Sequence, residues 1–165
     1  MHRHKFLVVS VLCVLGAIFP SSDILAQEPT PPDLMSFAQG TLPVAISSAP
    51  SDVRVKMEHA VSAIDGNHAG YVAMGKPVVT GDVVTILYVL PSPTRFDGFA
   101  VPNISETPSP SQTFFRQIDI LGSSAGPDGP FIALAWAELT THEDEGQITA
   151  LTMAEERPEV RWVSV

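Results

Sequence analysis

The sequence predicts an all-β domain, a β-sandwich with one short helix, on three observations. Seven short runs rich in β-branched, aromatic and aliphatic residues follow one another, over residues 71–74, 83–90, 96–101, 114–121, 131–139, 148–153 and 160–165. Turn chemistry separates them: Gly81-Asp82, Asp97-Gly98, Pro127-Asp128-Gly129-Pro130 and Glu145-Gly146 all fall between runs. One stretch, residues 57–64, has helix-compatible composition, and Gly66 stands just beyond it, where a left-handed cap ends a helix.

The runs differ in exposure pattern. Residues 83–90, Val-Val-Thr-Ile-Leu-Tyr-Val-Leu, are apolar on both faces, as expected of a central strand. In 114–121, Arg116, Gln117 and Asp119 interleave with Phe115, Ile118, Ile120 and Leu121, the alternation of a strand with one face in water. Ahead of the helix, residues 27–50 carry Pro29, Pro31, Pro32, Pro43 and Pro50 among small residues, which reads as a lead-in or linker, so the domain is placed at 51–165.

The first 26 residues have the layout of a signal peptide. His2, Arg3, His4 and Lys5 form a basic start, and a 14-residue apolar run, residues 6–19, follows. A membrane-spanning helix takes about 20 apolar residues, so the run reads as a cleaved export signal, with cleavage expected after Ala26. Cys13, the single cysteine, lies inside it. The mature chain is therefore expected to have no disulfide, thiolate metal site or cysteine nucleophile, and its location to be periplasm, outer membrane or extracellular. A formal net charge of −9 repels phosphates and excludes nucleic acid as the expected partner.

Candidate chemistry is sparse. Gly122-Ser123-Ser124-Ala125-Gly126 matches the G-x-S-x-G elbow, but that motif needs a helix after the serine, and Pro127 to Pro130 follow instead; a small-residue hairpin loop is the reading. His142-Glu143-Asp144-Glu145 reads as a solvated hairpin tip, because adjacent residues of an extended chain point to opposite faces. His59 and His68 lack any ligand spacing and read as a helix-surface and a loop histidine. Trp136, Trp162, Tyr71 and Tyr88 could stack a sugar, yet aromatics at strand positions belong first to the core. The polar loops 91–95 and 106–112 are the strand-end positions where such a module would keep a ligand. No nucleophile with its base, and no acid–base pair, stands at a persuasive spacing, so an enzyme is not expected.

Ala63-Ile64-Asp65-Gly66-Asn67 resembles the Ala-x-Asp-Gly-Asp/Asn signature of discoidin-like domains, the factor 5/8 C-type or galactose-binding-like family. The 83–90 strand, the unit from Ile118 through the Ser124 to Gly129 turn to Phe131, and the closing Val160-Arg161-Trp162-Val163-Ser164-Val165 are similar to further motifs of that family, in its order. The likeness covers about residues 53–165 and implies a jelly-roll β-sandwich, a carbohydrate as ligand and a structural calcium in the loop, with Asp65 and Asn67 as its ligands. The residues themselves also allow a plain turn, in which Asp65 accepts local backbone amides and Gly66 has positive φ. Phe96-Asp97-Gly98-Phe99-Ala100-Val101-Pro102-Asn103, with Glu106-Thr107-Pro108-Ser109-Pro110-Ser111-Gln112-Thr113, resembles the N-terminal region of some bacterial OmpA-family envelope proteins. That implies an adhesion or binding module of a cell envelope, and a chain that is a piece of a longer one with a peptidoglycan-binding domain. The alternative is a structural module of such an outer-membrane protein with no small ligand.

Overall fold

The structure, a computed structural model, describes residues 32–50, 55–67, 81–102, 104–105, 117–139, 141–142 and 148–165. These belong to one compact unit, Pro32–Val165. Its strands are β1 (Leu42–Ala49), β2 (Val83–Thr94), β3 (Ala100–Pro102), β4 (Ile104–Ser105), β5 (Gln117–Ser123), β6 (Ile132–Glu138), β7 (Thr141–His142), β8 (Ile148–Ala150), β9 (Thr152–Met153) and β10 (Val160–Ser164), with one helix, α1 (Met57–Ser62). Six strands form an antiparallel sheet in the order β1-β2-β10-β5-β6-β9, β3 pairs with β8, and β4 with β7. The fold is therefore all-β with one short helix, as the sequence predicts, and consistent with a β-sandwich. The jelly-roll winding stays an expectation of the family resemblance.

Period-two alternation, reset by register shifts within β6 and β10, places the core on one face of the sheet. Ile86, Tyr88 and Leu90 of β2, Ile120 of β5, Leu134 and Ala135 of β6, and Val160 and Val163 of β10 are buried there against Ala60 and Ile64 from the helix region, Phe96 and Leu151. Each fully buried aliphatic or aromatic side chain contributes about 1.5–3 kcal/mol over its exposed state. Phe96 and Phe99, read as strand residues, lie in the connection before β3, with ring centroids 4.6 Å apart. The 148–153 run divides at buried Leu151, whose N–H donates to the Phe99 carbonyl at 2.9 Å, so that β8 joins β3 while β9 joins β6.

A six-residue helix is far too short to persist alone in water. Here α1 is held from three sides. The Lys56 N–H donates to Nδ1 of His59 at 3.3 Å, so this histidine closes the first turn rather than simply lying on the surface. The buried Tyr88 hydroxyl donates to the Ala60 carbonyl at 3.1 Å, and the Phe37 N–H donates to that of Ile64 at 2.7 Å.

Two segments differ from expectation. Residues 27–50 were expected to form an irregular lead-in, but Leu42–Ala49 is strand β1, paired along β2 from Leu42↔Val89 to Ala49↔Val83. Leu42, Val44 and Ile46 already alternate with smaller residues, and Pro43 is tolerated because the pairing shifts register beside it, on an edge strand. Residues 91–94, expected in a loop, continue β2. Pro91 and Pro93 lie beyond the first pair of β1 and beside a register shift opposite β10, so their missing N–H groups fall where the ladders are interrupted. The expected 71–74 strand, and residues 114–116 of the expected 114–121 strand, lie outside the described residues.

Candidate functional site

The loop after α1 brings Asp65 and Asn67 together as a turn. The Asn67 N–H donates to Oδ1 of Asp65 at 2.7 Å, and Gly66 between them has φ +81°, a conformation that side chains with a Cβ rarely adopt. All three residues are exposed, while Ile64 just before them is buried. Calcium takes 6–8 oxygen ligands. Among the described residues no group of three or more His, Cys, Asp or Glu is placed to hold a metal.

The G-x-S-x-G segment is a hairpin connection. Ser123 ends β5, is 2% exposed, and its Oγ accepts the N–H groups of Ala125 and Gly126 at 3.2 and 3.4 Å. The chain then turns through 127–130 into β6, with no helix to carry Ser124 as a nucleophile. Of the His142 to Glu145 cluster, residues 143–145 lie outside the described residues, as do His68, Tyr71 and the loop 106–112.

The aromatics divide. Tyr88 is core, and Trp162 is half-buried in the central strand β10. Trp136, expected in the core, is 45% exposed. The register explains it. On β5, Ile118 and Ile120 take the inner face, which turns Gln117 and Asp119 outward; their direct cross-strand partners on β6 are Glu138 and Trp136, with Thr152 of β9 opposite Trp136 on the other side. Directly opposed side chains in such a ladder have Cβ atoms about 4.5–5.5 Å apart.

Gln117, Asp119, Trp136, Ala137 and Glu138 line an open groove of about 360 Å³. The Gln117 amide donates from Nε2 to Oδ2 of Asp119 at 2.9 Å, which orients that carboxylate beside the indole. The site thus offers a flat apolar surface ringed by an amide and two carboxylates. Such a surface can stack an apolar face while accepting hydrogen bonds from groups around its edge. The sequence did not carry this signal: strict alternation over residues 131–139 puts Trp136 on the face of Ile132 and Leu134, and it is the register shift between Ile120↔Ala135 and Leu121↔Ala133 that buries Leu134 with Ala135 and leaves Trp136 on the other face.

Comparison with protein-family models, with curated proteins and with solved structures finds no match.

Proposed function

We propose that the chain is an exported, non-enzymatic binding module of a bacterial cell envelope, with carbohydrate as its ligand class and the Trp136 groove as its binding surface. The exposed indole in a polar rim carries the reading. A pyranose has an apolar C–H face and a belt of hydroxyls, and the groove supplies an aromatic plane for the first and Gln117, Asp119 and Glu138 for the second. The export part rests on the basic and apolar pattern of residues 1–26. The envelope part rests on the resemblance of residues 96–113 to OmpA-family proteins.

A second reading, a structural module that docks to other domains and takes no small ligand, is favoured by exposed Leu42, Val44 and Val83 on β1 and β2. A glycan array probed with the whole chain separates the two. Under the binding reading, a set of neutral or basic oligosaccharides is retained, and Trp136→Ala reduces retention at least about tenfold, as loss of a central aromatic anchor does. Equal retention by wild type and Trp136→Ala, or retention of nothing, would remove the groove as a sugar site.

A further inference from the structure

We infer that the Trp136 groove selects sugars bearing a free amine, hexosamines without the N-acetyl group, over their N-acetylated counterparts. This rests on the reading of the groove as a sugar site and adds the charge of the ligand. Asp119 faces Trp136 directly across the β5–β6 ladder. Glu138 follows Trp136 by two residues on the same strand and therefore projects from the same face, about 6.5–7 Å along it. Asp119 is thus the cross-strand neighbour of Trp136 and Glu138 its neighbour along the strand, so two carboxylates stand on adjacent sides of the indole on one face.

Among the described residues, no Lys, Arg or His lines the groove. The bond from Gln117 holds Asp119 by one oxygen. An ammonium placed over the indole gains the attraction of the ring face and of both carboxylates. An acetamido group in its place brings no charge to either, and an acidic sugar is repelled by both. Selection for the amine follows from the groove's own composition, whatever longer glycan presents it.

Titration calorimetry of the full chain with a glucosamine tetramer and with its N-acetylated counterpart, at about pH 6 where ordinary carboxylates are ionised, tests this. The amine form should bind at least about tenfold tighter, which is about 1.4 kcal/mol, and the preference should shrink as salt rises. Asp119→Asn/Glu138→Gln should abolish the preference. The pair Asp128→Asn/Glu159→Gln should keep it, since it removes two exposed carboxylates from the turn after β5 and the approach to β10, away from the groove. Equal binding of both tetramers would overturn the amine selectivity and leave the sugar site standing. Equal loss in the two double variants would overturn it in favour of general attraction to an acidic protein. Binding of neither tetramer would overturn both this inference and the reading beneath it.

Discussion

Gly122 is a glycine because two neighbours occupy the space of its side chain. A Cβ there would lie 2.7 Å from both Leu134 Cδ1 and Val160 Cγ1, the latter two being 3% and 1% exposed. Buried aliphatic side chains wedged between strands have little room to retreat. Gly122→Ala should therefore cost about 1–3 kcal/mol by overpacking, read from urea denaturation, and an unchanged midpoint would show that the sheet can yield there. Asp65 is the opposite kind of residue, exposed and bonded to its own turn. Asp65→Ala should lower stability by at most about 1 kcal/mol, equally in millimolar calcium and in chelator. If calcium instead stabilises the wild type and the mutant loses that part, the loop holds the ion, since a ligand that binds the folded state raises its melting temperature by mass action.

At the scale of elements, the bond between Tyr88 and Ala60 joins the helix to the sheet. Burial pushes the Tyr88 phenol above its ordinary value, because the ionised form would lose its water. An unfolded tyrosine ionises near pH 10. Above that pH the unfolded chain binds fewer protons than the folded one, so the phenol's contribution, complete below pH 10, is lost as pH rises from there towards the folded value. Tyr88→Phe should cost about 0.5–1.5 kcal/mol at neutral pH. The wild type should approach the variant's stability at about pH 11, and a gap that stays constant would refute the account. Elements with strong alternation and clear turns, β2, β5, β6, β10 and α1, were legible in the sequence. β1 was not, because Pro43 and the prolines on either side of it outweighed a short alternation whose partner lies about 40 residues away along β2. The 148–153 run hid a change of ladder at Leu151, since a strand and two short strands in succession have the same composition.

The whole molecule separates its tasks by face. The inner face of the six-stranded sheet holds the buried cluster, and the outer face at the β5–β6 ladder holds the groove. Fold class was legible because burial imposes a period of two along most of β2 and β5. The groove was not, because exposure of one tryptophan depends on which neighbour opposes it, and register is set by pairing across the chain. Asp119 and Ile120 are adjacent in sequence and take the two faces, so they test this division directly. Ile120 is 4% exposed and within the core cluster. Ile120→Ala should cost about 2–5 kcal/mol in unfolding free energy, the removed side chain leaving a void that close packing cannot fill. Asp119→Ala should stay within about 0.5 kcal/mol of wild type, since it removes an exposed group bonded to an exposed amide. The same Asp119→Ala should weaken retention of amine-bearing sugars, while Ile120→Ala, assayed well below its lowered melting temperature, should leave retention near wild type. A large stability loss in Asp119→Ala would mean that the outer face is structural. Loss of retention in a folded Ile120→Ala would mean that the two faces are coupled through the strand.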